Sequence, residues 1–203
     1  MAETLPADLE YLDTPPELIR SVSVSRYGGR VVSAIENGDP FWQWSAEVMP
    51  MRPFQRQRLE AFIDRCRGGQ VTVHYTPKHV RVPYAYWGDV DNPAITGSAS
   101  LGAINGNLIT LTGVFVGLRL TDGDLIGLSL GDYNFIARIV SSAVATSTTI
   151  EVRIEPFLPS YIRVGAIVRF KDIVMNMRLL PNSFKLDTGN FPRASFQLVE
   201  VPS

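Results

Sequence analysis

Few residues in this chain are suited to cross-linking or metal binding. Its 203 residues contain one cysteine, Cys66, and two histidines, His74 and His79. A single cysteine excludes an internal disulfide framework and any metal site built from several thiolates, and it favours folding in a reducing cytoplasm. We therefore expect the fold to depend on a hydrophobic core, which a chain of this length can form without cross-links.

The chain also has no excess of charge of one sign and no long apolar run. Its 19 lysine and arginine residues nearly balance 20 aspartate and glutamate residues, giving a formal net charge of -1. Nonspecific binding to DNA or to an anionic membrane requires a strong positive field. No segment approaches the roughly 20 apolar residues of a spanning helix, and the N-terminus does not have the pattern of a signal peptide. We predict no nucleic-acid recognition, no membrane insertion and no signal-directed export.

Proline and glycine divide the N-terminal part of the chain. Pro6, Pro15 and Pro16 lie among acidic residues in positions 1–18, which favours an extended arm over a helix or a central strand. A hairpin is predicted next, with strands over 19–25 and 30–35 joined by a turn with two consecutive glycines. The arm should therefore lead directly into β structure.

Apolar periodicity predicts the elements that follow the hairpin. Trp42 and Trp44 alternate with polar residues, which predicts a strand with one buried face, in the core or at a subunit interface. Helical spacing predicts a helix over 53–67, and two glycines end it. Alternation predicts another strand over 70–75, so this module reads β-β-β-α-β.

A different style of sequence begins near residue 83 and continues to about residue 171. It is rich in glycine, poor in charge and divided into short strands. Asn105-Gly106 is a strong hairpin signal, and residues 149–155 alternate apolar and charged side chains. Several short strands at this spacing predict a small barrel or sandwich. Further strands are predicted after residue 171.

No constellation of catalytic residues is evident. The chain has no nucleophile motif of the G-x-S-x-G type to accompany its two histidines. Asp122, Asp124 and Asp132 flank glycines at predicted turns, where they would cap backbone amides, and Glu151 and Glu155 lie on a predicted solvated strand face. The calcium-loop spacing is absent around Asp122-Gly123-Asp124. We predict no enzymatic activity, no catalytic residue, no metal and no cofactor.

Two groups of side chains are candidates for contacts with other molecules. The first group comprises Tyr84, Tyr86 and Trp87. Their rings could stack on sugars or pack two units together, because amphipathic rings favour both. The helix arginines could be a solvated face, or could pair with Glu3, Asp8 and Glu10 of an arm in a neighbouring subunit. The interface candidates are Trp42, Trp44, Arg56, Arg58, Arg65, Tyr84, Tyr86 and Trp87.

A set of spaced motifs runs through the chain from about Ser21 onward. They are Arg26-Tyr27-Gly28-Gly29-Arg30, Gly38-Asp39-Pro40-Phe41-Trp42, the helical stretch 57–63, Gly68-Gly69, Leu120-Thr121-Asp122-Gly123-Asp124, Ile154-Glu155-Pro156-Phe157-Leu158, Met177-Arg178-Leu179 and Phe196-Gln197-Leu198-Val199-Glu200. In this order they resemble the distal tail proteins of siphophages and related gene transfer agents.

The resemblance implies a mainly β fold with two domains. A split, β-sandwich-like ring domain with one helix would comprise residues 19–82 and 172–203. An inserted small β-barrel, similar to oligosaccharide/oligonucleotide-binding folds, would comprise residues 83–171. The arm, residues 1–18, has no assigned counterpart in the family.

The resemblance also implies a function. Such proteins form a ring, usually a hexamer, that joins the tail tube protein to the tail-tip hub protein, and their outer module can attach tail fibres or bind host-surface glycan. The expected role is a structural virion protein of the tail tip, made in the host cytoplasm. The alternative is a carbohydrate-binding β module for host-surface recognition, and a small cell-wall hydrolase comes third.

Overall fold

The computed structural model of the chain describes residues 2–12, 14–27 and 31–202, and its fold is mainly β, as the sequence predicts. The strands are β1 Glu3–Thr4, β2 Glu17–Ile19, β3 Val22–Tyr27, β4 Val31–Glu36, β5 Phe41–Val48, β6 Thr72–Tyr75, β7 Ser98–Asn105, β8 Leu108–Thr112, β9 Arg119–Leu120, β10 Leu125–Leu130, β11 Tyr133–Ile139, β12 Ala143–Val144, β13 Thr149–Glu155, β14 Ile167–Arg169, β15 Met175–Leu179, β16 Lys185–Leu186 and β17 Ala194–Glu200. The helical segments are α1 Pro53–Arg65, the single turn α2 Pro93–Thr96, and 3-10 turns at Arg67–Gly69 and Tyr84–Tyr86.

Seven strands form one sheet, in the order β1-β6-β15-β17-β5-β2 with β16 paired to β17. In β5 the predicted alternation holds, and Trp42 and Trp44 are buried on its inner face. Helix α1 begins at Pro53, whose missing N–H costs nothing in a first turn. It packs Leu59 and Phe62 into the same core as the two tryptophans. One face of the sheet is therefore covered by the helix.

Six strands close into a barrel in the order β10-β11-β13-β8-β7-β14. The predicted Asn105-Gly106 turn joins β7 to β8, and Gly106 has the positive φ of 63° that this turn favours. Alternate residues of β13 enter the barrel core: Ile150, Val152 and Ile154. The pattern predicted a barrel or a sandwich, and closure leaves the six strands without a free edge.

The barrel lies between two neighbouring strands of the sheet in the sequence. The chain leaves the sheet after β6, forms the barrel strands, and returns as β15, which pairs with β6. Leu125 and Ile136 of the barrel pack into the core beneath the sheet. At Gly127 an added Cβ would lie 2.9 Å from the Ile173 Cβ, so the absence of a side chain permits this close contact.

The N-terminal segment differs in detail from the predicted arm. It is extended, but it lies on the sheet: β1 pairs in parallel with β6, β2 pairs with β5, and Leu9 is buried. Pro6, Pro15 and Pro16 fall between these strands, where no ladder hydrogen bond is lost. The segment therefore supplies both edge strands of the main sheet path.

Two predicted boundaries also shift. The strand predicted over 19–25 is divided, because β2 ends at Ile19 and β3 begins at Val22. Helix α1 ends at Arg65, two residues earlier than predicted, and the chain then tightens into a 3-10 turn. The two glycines predicted to turn the first hairpin, Gly28 and Gly29, lie outside the described residues.

Candidate interaction surfaces

The two sheet tryptophans are core residues. Trp44 packs against Tyr75 in a tilted arrangement with ring centroids 4.4 Å apart, and its indole N–H donates to the Thr14 carbonyl at 2.9 Å. Trp42 is fully buried and lies beneath the Arg138 guanidinium, 5.0 Å from the ring centroid. The two predicted roles for these residues were packing in the core and contact at a subunit interface. The structure buries both tryptophans in the core, and neither ring lies on an outer surface.

The arginines of α1 pair with acidic groups of the same chain. Arg58 lies 2.9 Å from Asp8 and Arg65 lies 3.0 Å from Glu3, both in the N-terminal segment. Arg56 pairs with Glu60 one turn further along the helix. The predicted arginine–carboxylate contacts thus form within one subunit. Since these arginines are about half exposed, each pair contributes roughly 0–1 kcal/mol to stability.

The aromatic cluster at 84–87 contains two exposed rings and one buried ring. Tyr84 and Trp87 are 65% and 57% exposed, and their centroids lie 5.2 Å apart in an edge-to-face arrangement. Tyr86 is buried, and its hydroxyl accepts the backbone N–H of Arg119 at 2.9 Å. The Trp87 indole donates to the Val82 carbonyl at 3.1 Å. The exposed pair is thus held on a fixed turn, and Tyr86 does not take part in it.

Of the three turn aspartates predicted to cap backbone amides, Asp124 does so. Asp124 is buried, and its carboxylate accepts the N–H groups of Tyr84 and Thr121 at 2.8 and 2.7 Å. Asp122 accepts the Ser142 hydroxyl at 2.7 Å, a bond that lowers the pKa of the Asp122 carboxyl. In the described ranges no group of three or more histidine, cysteine, aspartate or glutamate side chains could hold a metal ion.

The hairpin β3–β4 has exposed apolar side chains on both of its strands. Its two strands pair with each other through six residue pairs and with no other strand of the described chain. Val24 is 61% exposed on one face and Ile35 is 60% exposed on the other. Val22 is also exposed, so apolar β-branched side chains lie on a hairpin that the described chain does not cover.

A cleft not predicted from the sequence lies where the sheet meets the barrel. It has a volume of about 480 Å³, and Glu200 and Tyr161 line it. One Glu200 oxygen accepts the Trp42 backbone N–H at 2.9 Å, and the other lies 3.5 Å from the Tyr161 hydroxyl. Burial raises the pKa of Glu200 to about 7, and burial together with the Glu200 charge raises the pKa of Tyr161. Glu200 follows Phe196 and Leu198 at the inward positions of β17, and that alternation was the available signal.

No protein-family model matches the chain, and no curated protein matches it. In the described ranges no helix is long and apolar enough to cross a membrane. The fold and the surfaces described above are therefore the basis for assigning a function.

Proposed function

We propose that this chain is a non-enzymatic structural protein of a phage-like tail tip, a distal tail protein. In this role it assembles into a ring, expected to be a hexamer, that joins the tail tube protein to the tail-tip hub protein. The proposal rests on the motif order and on one structural observation, the uncovered hairpin β3–β4.

The hairpin supports assembly because its exposure is unfavourable in a monomer. A two-stranded hairpin is marginally stable in water unless another element packs against it. Here Val24 and Ile35 are exposed on opposite faces, so an external surface must cover both faces to bury them. A contact between one subunit's hairpin and a different patch on the next subunit is heterologous, and such contacts form a ring when the rotation between subunits closes.

The short edges of the main sheet also favour the hairpin as the site of contact between subunits. Long free edges invite strand addition, but β1 and β2 at the ends of the main sheet path have only two and three residues. The barrel strands have no free edge, because the barrel is closed. The hairpin is therefore the strongest described candidate for β-mediated contact between subunits.

Assembly is tested by light scattering and negative-stain imaging of the purified chain. The wild type is expected to form a closed ring of several 22.5 kDa chains. The double variant Val24→Lys, Ile35→Lys places charge on both hairpin faces and should shift the protein to monomers. Val144→Lys is the control, because Val144 is 57% exposed in β12, a short strand that pairs with β9 and lies outside the hairpin.

Placement at a tail tip is tested on particles. Gold-labelled antibodies against the chain should mark the distal end of the tail in purified tailed particles, where a ring joining tube to hub would lie. A wild-type protein that stays monomeric even with tube and hub proteins present, or labelling away from the tail, would overturn the proposal.

A second candidate, a carbohydrate-binding module, is favoured by the exposed Tyr84–Trp87 pair. An aromatic ring held in one orientation on a protein surface can stack on the apolar face of a sugar. The edge-to-face angle of 67° means that one sugar face can stack on only one of these two rings at a time. Glycan-array binding should then be lost in Trp87→Ala, retained in Trp87→Phe, and independent of the assembly state.

A further inference from the structure

The cleft between sheet and barrel has the dimensions of a small-molecule site. Its volume of about 480 Å³ falls within the range of roughly 300–1,000 Å³ typical of ligand pockets. Phe41 lies on the sheet side and Phe157 on the barrel side, and both are partly exposed. Tyr161, which also lines the cleft, is held by stacking on Tyr133 with centroids 5.2 Å apart. The aromatic lining therefore comes from both units.

The carboxylate in this cleft has only neutral hydrogen-bond donors. Glu200 accepts the Trp42 backbone N–H and lies near the Tyr161 hydroxyl, and it forms no ion pair within the described ranges. Arg20 is the only basic residue among the described residues that line the cleft. It already pairs with Glu155 at 2.6 Å and with Glu36 at 3.4 Å.

The cleft therefore carries an excess of negative charge. Glu36, Asp39 and Glu200 line it, and Arg20 is shared between two carboxylates. An ionised carboxylate accepts hydrogen bonds and donates none, so a ligand bound to Glu200 must supply the donor. A neutral ligand could supply a donor, but it would leave the Glu200 charge without a counter-ion. A cationic group would supply both the charge and the donors, and it is attracted to aromatic faces at short range.

We propose that this cleft binds an organic cation, an ammonium or guanidinium group carried on a short apolar stem. The cation pairs with Glu200, and the stem lies between Phe41, Phe157 and Tyr161. The group can come from a free amine or from a lysine or arginine side chain of another protein, because both present the same chemistry. This binding role is independent of the tail-tip proposal.

Ionisation of Glu200 links this binding to pH. The charged and titratable groups around it are Arg20, Glu36, Asp39, Glu155, Tyr161 and Arg138, the last lying over the Trp42 ring. Burial holds the pKa of Glu200 near 7, so about half of the molecules must lose a proton when the cation binds at neutral pH. Affinity for the cation should therefore rise between pH 6 and pH 8.

Calorimetric titration with butylammonium tests the proposal, with n-butanol as the neutral probe of the same stem. Butylammonium should bind at least about tenfold more tightly than n-butanol, a difference that corresponds to one buried charge-assisted contact. At pH 7 the measured heat should differ between two buffers of unlike ionisation enthalpy, because a proton is released.

Matched variants assign the effect to the cleft. Glu200→Gln keeps an acceptor for the Trp42 N–H and should weaken butylammonium binding about tenfold and remove proton release. Glu151→Gln is the control, since Glu151 is exposed on the barrel and does not line the cleft. Phe157→Leu provides a second test at an exposed position, 59% accessible, where loss of folding is not expected.

A further pair of probes distinguishes between the two sources of the cation, a free amine and a side chain of another protein. If a tripeptide with one central lysine binds more tightly than butylammonium and fails to bind once that lysine is acetylated, the cation comes from a protein side chain. If the tripeptide binds more weakly than butylammonium, the cation comes from a free amine. Equal binding of butylammonium and n-butanol, unchanged binding by Glu200→Gln, or preferential binding of a neutral sugar would overturn the proposal.

Discussion

The indole N–H of Trp42 donates a hydrogen bond to the backbone carbonyl of Ile136 at 2.9 Å. Trp42 belongs to the sheet and Ile136 to barrel strand β11, so this buried bond connects the two parts of the fold. The bond lies within a shared apolar core, where water cannot replace a lost partner. The relative position of sheet and barrel therefore depends on this contact as well as on apolar packing.

We predict that Trp42→Phe destabilises the protein by about 2–4 kcal/mol. The change removes the buried donor, which leaves the Ile136 carbonyl unsatisfied, and it also removes ring volume from a packed core. Urea unfolding followed by circular dichroism measures the loss. Phe41→Leu, on the exposed face of the same strand, is the control and should change stability by less than about 1 kcal/mol. Equal effects of the two substitutions would contradict this account.

Stability should depend on the protonation of Glu200. Because burial raises the pKa of this carboxyl in the folded state, from 4.5 to about 7, its stabilising contribution is complete below pH 4.5. That contribution is lost as the pH rises through about 7, an effect of at most about 3 kcal/mol. The free energy of unfolding should therefore fall between pH 5 and pH 8, and Glu200→Gln should flatten that dependence.

Alanine substitution should destabilise the protein much more at Gly69 than at Gly68, the two glycines of the turn after α1. An added Cβ at Gly69, where φ is 95°, would lie 2.3 Å from the backbone carbonyl oxygen of Leu179. An added Cβ at Gly68, where φ is 63°, would have no atom within 4 Å other than those of the glycine and its two chain neighbours. Gly68→Ala should cost about 1 kcal/mol for the left-handed backbone alone. Gly69→Ala should cost at least about 3 kcal/mol, because two backbone segments must separate, and thermal unfolding of the pair measures the difference.

The N-terminal segment should be held mainly by apolar burial. Leu9 is 4% exposed within the sheet core, so Leu9→Ala should cost about 2–4 kcal/mol and expose the segment to proteolysis. The double variant Arg58→Gln, Arg65→Gln removes two exposed ion pairs and should cost less than about 1.5 kcal/mol. Faster cleavage of the double variant than of Leu9→Ala would reverse this ranking.

Local sequence patterns predicted the elements well where a single physical rule operates. Alternation identified the buried face of β5, helical spacing identified α1, and Asn105-Gly106 identified a barrel hairpin, because each signal depends on neighbouring residues only. Contacts between distant segments were less accessible. Nothing near Leu9 indicates that it enters the core beside β5, and pattern alone did not separate the buried Tyr86 from the exposed Tyr84 and Trp87.

The sequence by itself determined the β class, the series of short strands between about residues 83 and 171, and the lack of a disulfide framework, because composition and period are properties of the chain alone. Only the tertiary structure decided that β6 and β15 become neighbours, that the arginines of α1 meet acidic groups of the same chain, and that Glu200 lines a cleft between sheet and barrel. Each of these depends on segments far apart in sequence, whose meeting is set by the packing of the whole core rather than by any local preference.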